Sequence, residues 1–180
     1  MLVLRGAYCR IEGNEGGGGR GAGRSARVGG ARWLHEGFAE RSEWIWSERH
    51  GGPTAQDFFD DFVAEKDPGT WDPAPGLVSD AADLFSNSVY DRGAMTLQAL
   101  RVEVGDATFF RILRDWFAEH KYGNVATADF IALAQRDSHR DLRGFFRKWL
   151  FTPGPVVTTP AATAAPQPAA RLGERPQRRR

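Results

Sequence analysis

The sequence predicts an all-α domain, and three observations carry that prediction. Between Trp33 and Thr152, apolar residues recur at helical spacing in segment after segment. The same span shows no alternation of strand length. Cap-type residues and Gly or Pro breaks separate the periodic segments into about six helices. With 180 residues, of which 41% are hydrophobic and 12% aromatic, there is material for one small core.

The first helix is expected over Leu34 to Arg49, with Leu34, Phe38 and Ile45 on one face and Trp44 and Trp46 widening it. Gly51, Gly52 and Pro53 stop it. Thr54 then caps a second helix bearing Phe58, Phe59, Phe62 and Val63. Asp67 to Gly76 holds three prolines and two glycines and reads as a loop.

The next helix begins at Tyr90, and its stripe of Val89, Gly93, Leu97, Leu100 and Val104 keeps helical spacing throughout. Gly105 ends it, and Asp106 is placed to cap a fourth helix with Phe109, Leu113, Trp116 and His120 on one face. After the break at Gly123 and Asn124, Thr127 is read as the cap of a short helix with Phe130, Ile131 and Ala134. Asp129 suits the positive end of its dipole. A last helix from about Asp141 puts Leu142, Phe145, Phe146, Trp149 and Leu150 together, despite Gly144. Thr152 to Gly154 close the folded part.

Three charge segments frame this domain. Residues 1–32 hold six Arg against two Glu, residues 33–152 thirteen Lys and Arg against twenty acids, and residues 153–180 five Arg against one Glu. The first segment also carries ten of the 21 glycines and few apolar side chains, so it is expected to be disordered. The last, rich in Pro, Ala and Arg, is expected to be a disordered tail. A glycine-rich stretch at Gly17 to Arg24 lacks the preceding strand and following helix of a dinucleotide site. The run Arg178 to Arg180 lacks interleaved aromatics, so no specific nucleic-acid partner is expected. Cys9 stands alone, which fits a reducing, cytoplasmic setting, and no apolar run is long enough for a membrane span.

Chemistry enters at W-L-H-E-G-F-A, Trp33 to Ala39, and at S-V-Y-D-R-G-A-M-T-L, Ser88 to Leu97. The first resembles the W-L-N-E-G-F-A segment of the membrane alanyl aminopeptidase family of zinc metallopeptidases. The second resembles the family's V-Y-x-K-G-A-x-x-L segment, and A-T-A-D-F-I-A-L-A and L-R-G-F-F-R-K-W-L are similar to the ends of its catalytic domains. The resemblance covers about Trp33 to Pro153. It implies a helical C-terminal lobe of a thermolysin-like catalytic domain, with Glu36 as a zinc ligand and Tyr90 as the hydroxyl that stabilises the tetrahedral intermediate. These roles are chemically sound. A carboxylate is a competent zinc ligand, and a phenol over a cavity can donate to a developing oxyanion.

The departures from the family matter as much. The family's H-E-x-x-H supplies two more zinc ligands and the general base, and its spacing would place it at residues 13–17. Gly13, Asn14, Glu15, Gly16 and Gly17 stand there, and H-E-x-x-H occurs nowhere in the chain. Its G-x-M-E-N segment is also absent. Residues 1–32 are therefore read either as disordered or as out-of-frame translation ahead of Trp33; translating the upstream DNA in three frames decides between these. His35 adjoins Glu36, but neighbouring helix positions point about 100° apart, so it is read as a partly exposed helix residue. His50 and His120 suit helix ends, and His139 a turn.

The expectation is a fragment of a zinc aminopeptidase that is inactive alone, since one carboxylate does not hold zinc. Its substrate would be a peptide N-terminus if a missing N-terminal segment completed the site. The alternative is a non-catalytic helical remnant or peptide-binding module.

Overall fold

A computed structural model describes residues 10–11, 31–65 and 67–156. The expectations for the rest of residues 1–30 and for 157–180 lie outside the described residues. What is described is mainly helical, as the periodicity predicts. The helices are α1 (Trp33–Arg49), α2 (Ala55–Glu65), α3 (Pro68–Trp71), α4 (Gly93–Val104), α5 (Asp106–His120), α6 (Thr127–Ser138) and α7 (Arg143–Leu150). A single π-helical turn, Ser88–Arg92, runs straight into α4. The one departure from helix and loop is a short parallel pairing of Arg10–Ile11 with Asn124–Val125. Two residues per strand are too few for alternation to show in the sequence. No helix among the described residues is long and apolar enough to cross a membrane.

The core is aromatic, and Phe130 of α6 is its centre. Trp33 and Phe38 of α1, Trp116 of α5 and Phe146 of α7 all meet its ring edge-on, with centroids 5.2 to 6.0 Å apart. Edge-to-face pairs at this distance add about 0.5–1.5 kcal/mol each beyond the area they bury. Three helices are thus fixed to one side chain of a fourth. Trp33 adds a tie of its own, donating from Nε1 to the Thr127 hydroxyl at 3.0 Å. On the other flank Trp44 stacks on Phe58 and Phe62, which docks α2 against α1.

Local signals hold where the partners are local. Thr54 and Asp57 cap α2 reciprocally, with the Asp57 amide donating to the Thr54 hydroxyl and the Thr54 amide to the Asp57 carboxylate. The stripe Val89, Gly93, Leu97 and Leu100 is buried.

Four expectations are corrected. The predicted loop at Asp67 to Gly76 contains α3, because Asp67 accepts from the Gly69 amide and Pro68 suits a first helical position. Asp106 does not cap α5; Gly105 holds that position at φ 79°, and the Asp106 carboxylate pairs with Arg101 instead. Thr127 lies inside α6, where its hydroxyl serves Trp33, and Asp129 caps by accepting from the Ala126 amide. The buried face of α1 is Trp33, Leu34, Gly37, Arg41 and Trp44, whereas Trp46 is 64% exposed and stacks on His50. A reading of apolar residues alone could not place Arg41 on that face.

Candidate active site

The site begins with two glycines. A Cβ added to Gly37 would lie 2.7 Å from the Gly93 carbonyl carbon and 2.8 Å from its Cα, and one added to Gly93 would lie 3.0 Å from the Gly37 Cα. The backbones of α1 and α4 therefore touch where they cross, at a separation no larger residue permits. That contact puts Glu36, one residue before Gly37, beside the turn that leads into Gly93.

The turn itself does the rest. A π-helical turn is wider than an α-helical one and changes which side chains face a neighbouring helix. Here Val89 and Arg92 are fully buried while Tyr90 stays partly exposed, its hydroxyl close enough to the Glu36 carboxylate to feel its charge. The fold thus brings together the two residues that the sequence singled out, Glu36 and Tyr90.

A third residue joins them that sequence reading passed over. The Arg32 guanidinium Nη2 lies 2.7 Å from Glu36 Oε1, its Cζ stands 4.6 Å over the Phe85 ring, and it also reaches the Tyr90 hydroxyl. The signal was available in the four-residue spacing of Arg32 and Glu36. Burial, the Glu36 charge and the hydrogen bond to Glu36 push the Tyr90 hydroxyl up, and Arg32 works against them. His35 is held below its usual value, first by burial and then by Arg32. Its Nε2 is buried without a hydrogen-bond partner.

Beside Tyr90, Asp91 is pushed up to about 6, chiefly by burial and then by the Glu40, Asp67 and Glu65 carboxylates; a hydrogen bond from Thr70 opposes them. Arg92 closes the turn from the other side, donating from Nε to the Trp149 carbonyl and from its terminal nitrogens to the carbonyls of Trp71, Lys148, Thr152 and Gly154. It ties the Tyr90 turn to α3 and to the segment after α7. Nothing in the local sequence marks Arg92 as buried.

Whether this arrangement fits a metal is a question of donors. Among the described residues no group of three or more His, Cys, Asp or Glu side chains is placed to hold an ion. Glu36 is already paired with Arg32. Of the other histidines, His50 accompanies the end of α1, His120 lies tilted against Trp116 and His139 ends α6 in the left-handed region. The described residues do not fit a zinc ion.

The comparisons with known proteins give the family. Residues 30–149 match the peptidase family M1 domain, so the chain belongs to that family. It is 28% identical over 141 residues to aminopeptidase N of Streptomyces lividans, covering 71% of this chain and 16% of that protein. Over 77 residues it is 34% identical to aminopeptidase N of Lactococcus lactis subsp. lactis, or 42% of this chain and 9% of that one. Among solved structures, an M1 zinc metallopeptidase from Deinococcus radiodurans aligns with a TM-score of 0.61 at 27% identity, over 77% of this chain and 31% of that one. A variant of it bound to a Tyr-Ser-Ala substrate aligns with a TM-score of 0.60 at 28% identity, over 71% and 29%. The chain thus spans under a third of the length of each of these relatives.

Proposed function

We propose that residues 33–152 are the helical part of an M1 zinc aminopeptidase catalytic domain, in which Glu36 is the metal-ligating carboxylate and Tyr90 the oxyanion donor. On this reading the chain does not hydrolyse peptides alone. The observation that carries it is the close crossing of Gly37 and Gly93, which sets the Glu36 carboxylate beside the Tyr90 turn. This pairing takes two tight backbones and a π turn to build, more than a surface carboxylate needs.

What these residues do follows from their chemistry. Tyr90 holds its proton at neutral pH and can donate it in a hydrogen bond to negative charge developing on a carbonyl oxygen. Glu36 keeps the phenol oriented. Zinc, in the complete enzymes of the family, supplies the Lewis acid and the activated water; it takes three protein ligands, and this chain offers one. H-E-x-x-H is absent, and with it the general base. A complete site would take a peptide N-terminus, and the lone Cys9 fits a cytoplasmic setting.

The test is direct. The purified chain is assayed for zinc by elemental analysis and for hydrolysis of aminoacyl arylamides. Substoichiometric zinc and no turnover above the buffer rate are expected; stoichiometric zinc with turnover overturns the reading that this chain is inactive alone.

A further inference from the structure

We propose that Arg32 supplies, from within the chain, the positive charge that a bound cation would otherwise supply to Glu36, and so closes that carboxylate to divalent metal ions. The proposal goes beyond the function argued above and shares with it only the choice of Glu36.

The position of Arg32 is not one that helix α1 favours. It is the N-cap residue and makes no side-chain cap. A cation at that end faces the positive pole of the helix dipole, and Arg preceding Glu by four residues is the weaker orientation of such a pair. Local helix energetics therefore give no reason for the guanidinium to fold inward. Contacts from elsewhere do. Phe85 offers its ring face and Tyr90 its hydroxyl from the stretch before α4, and they meet on the cation that pairs with Glu36.

Burial makes the pairing consequential. The side chains of Arg32 and Glu36 are 30% and 18% exposed, so neither charge is freely solvated. A carboxylate in that position needs a cation beside it. A divalent ion approaching Glu36 meets a guanidinium already at hydrogen-bond distance. To bind, it must break a charge-assisted bond and displace a cation whose Nε is already buried without a partner. The ion would gain one carboxylate in return, because the described residues provide no further ligand group.

Cobalt(II), which can report on a zinc-type site, is the probe, titrated calorimetrically into the full chain. The proteins are wild type, Arg32→Gln, Arg32→Lys, Glu36→Gln and the double variant Arg32→Gln/Glu36→Gln, each checked for helical content. Arg32→Gln is expected to bind cobalt at least about 5-fold more tightly than wild type, a gain of about 1 kcal/mol. Arg32→Lys, which keeps the charge, should stay with wild type, and the double variant should lose the gain. Equal binding by wild type and Arg32→Gln, or a gain that survives loss of Glu36, overturns the proposal. Stoichiometric zinc in the wild type that is lost in Glu36→Gln overturns both readings, whereas zinc with turnover that survives Glu36→Gln overturns only the function above. Urea unfolding of the four corners of an Arg32 and Glu36 cycle gives a readout independent of metal. A coupling of about 3- to 10-fold in the unfolding constant is expected, and a coupling within about 2-fold of none shows that Arg32 is not the counter-ion.

Discussion

Two buried arginines flank the site, and they are satisfied in opposite ways. Arg92 makes five hydrogen bonds to main-chain carbonyls around the end of α7 and the end of α3. Arg41, equally hidden on α1, donates once, from Nη2 to Gln98 at 2.6 Å, while its Nε and Nη1 are buried without partners. Both guanidiniums also lie over aromatic rings, Trp71 and Phe109 respectively. Burial pulls Arg92 down to about 10 and Arg41 to about 9.

The difference lies in where acceptors are free. The end of a helix has carbonyls with no intrahelical partner and a negative dipole, so Arg92 meets acceptors that would otherwise be unsatisfied. Arg41 faces the middle of a helix packing interface, where the carbonyls are used. The carboxylates nearest to it, Glu48 and Asp106, are bound to Arg101. A buried cation is thus structural cement in one place and a tolerated cost in the other.

The largest expected effect breaks the first half of that contrast. Arg92→Met leaves five carbonyls short of a donor and should lower unfolding stability by about 3–5 kcal/mol, measured by urea denaturation. Because the Tyr90 turn loses its tether, exchange of its amides should quicken as well.

Next comes the crossing that both arginines brace. Gly37→Ala puts a methyl against the Gly93 backbone, which cannot move as a side-chain end can, and should cost about 1–3 kcal/mol. A melting temperature equal to wild type would show that the helices slide apart freely.

For Arg41 the sign reverses. Replacing it by Met removes a poorly satisfied buried charge while keeping its volume, so stability should rise by about 1 kcal/mol. A loss as large as that of Arg92→Met would erase the contrast.

The smallest effect concerns pH. Asp91 has a folded value of about 6, above its ordinary carboxylate value of 3.8. The folded state therefore binds the proton more tightly, and the stability this contributes is present below about pH 4 and is lost as pH rises through about 6. Since the group is half exposed and solvent screens it, Asp91→Asn should recover only about 1 kcal/mol at pH 7. It should also flatten the slope of stability between pH 4 and 7. An unchanged slope would mean that neither burial nor the Glu40, Asp67 and Glu65 carboxylates raise this carboxyl.

Much of the fold was legible because its causes are local. The cap of α2 lies within four residues, Thr54 to Asp57, and the stripe from Val89 to Leu100 writes the buried face of α4 directly. The misreadings have a common cause. Asp106 and Thr127 are good caps by type, but each side chain is claimed by another group, Arg101 of the preceding helix in one case and the distant Trp33 in the other. The burial of Arg41 and Arg92 depends on partners from other helices, and no local pattern shows it.

The site divides in the same way. The sequence by itself determined the helical class, the two segments that mark the M1 family, and the absence of H-E-x-x-H, since these rest on residue identity and spacing along one chain. Only the tertiary structure decided that Glu36 and Tyr90 lie side by side, because that depends on how closely two helices cross at Gly37 and Gly93. It also decided that Arg32 turns inward to the same carboxylate. A guanidinium at a helix start is drawn away from solvent only by what surrounds it, and Phe85 and Tyr90 come from distant stretches of the chain.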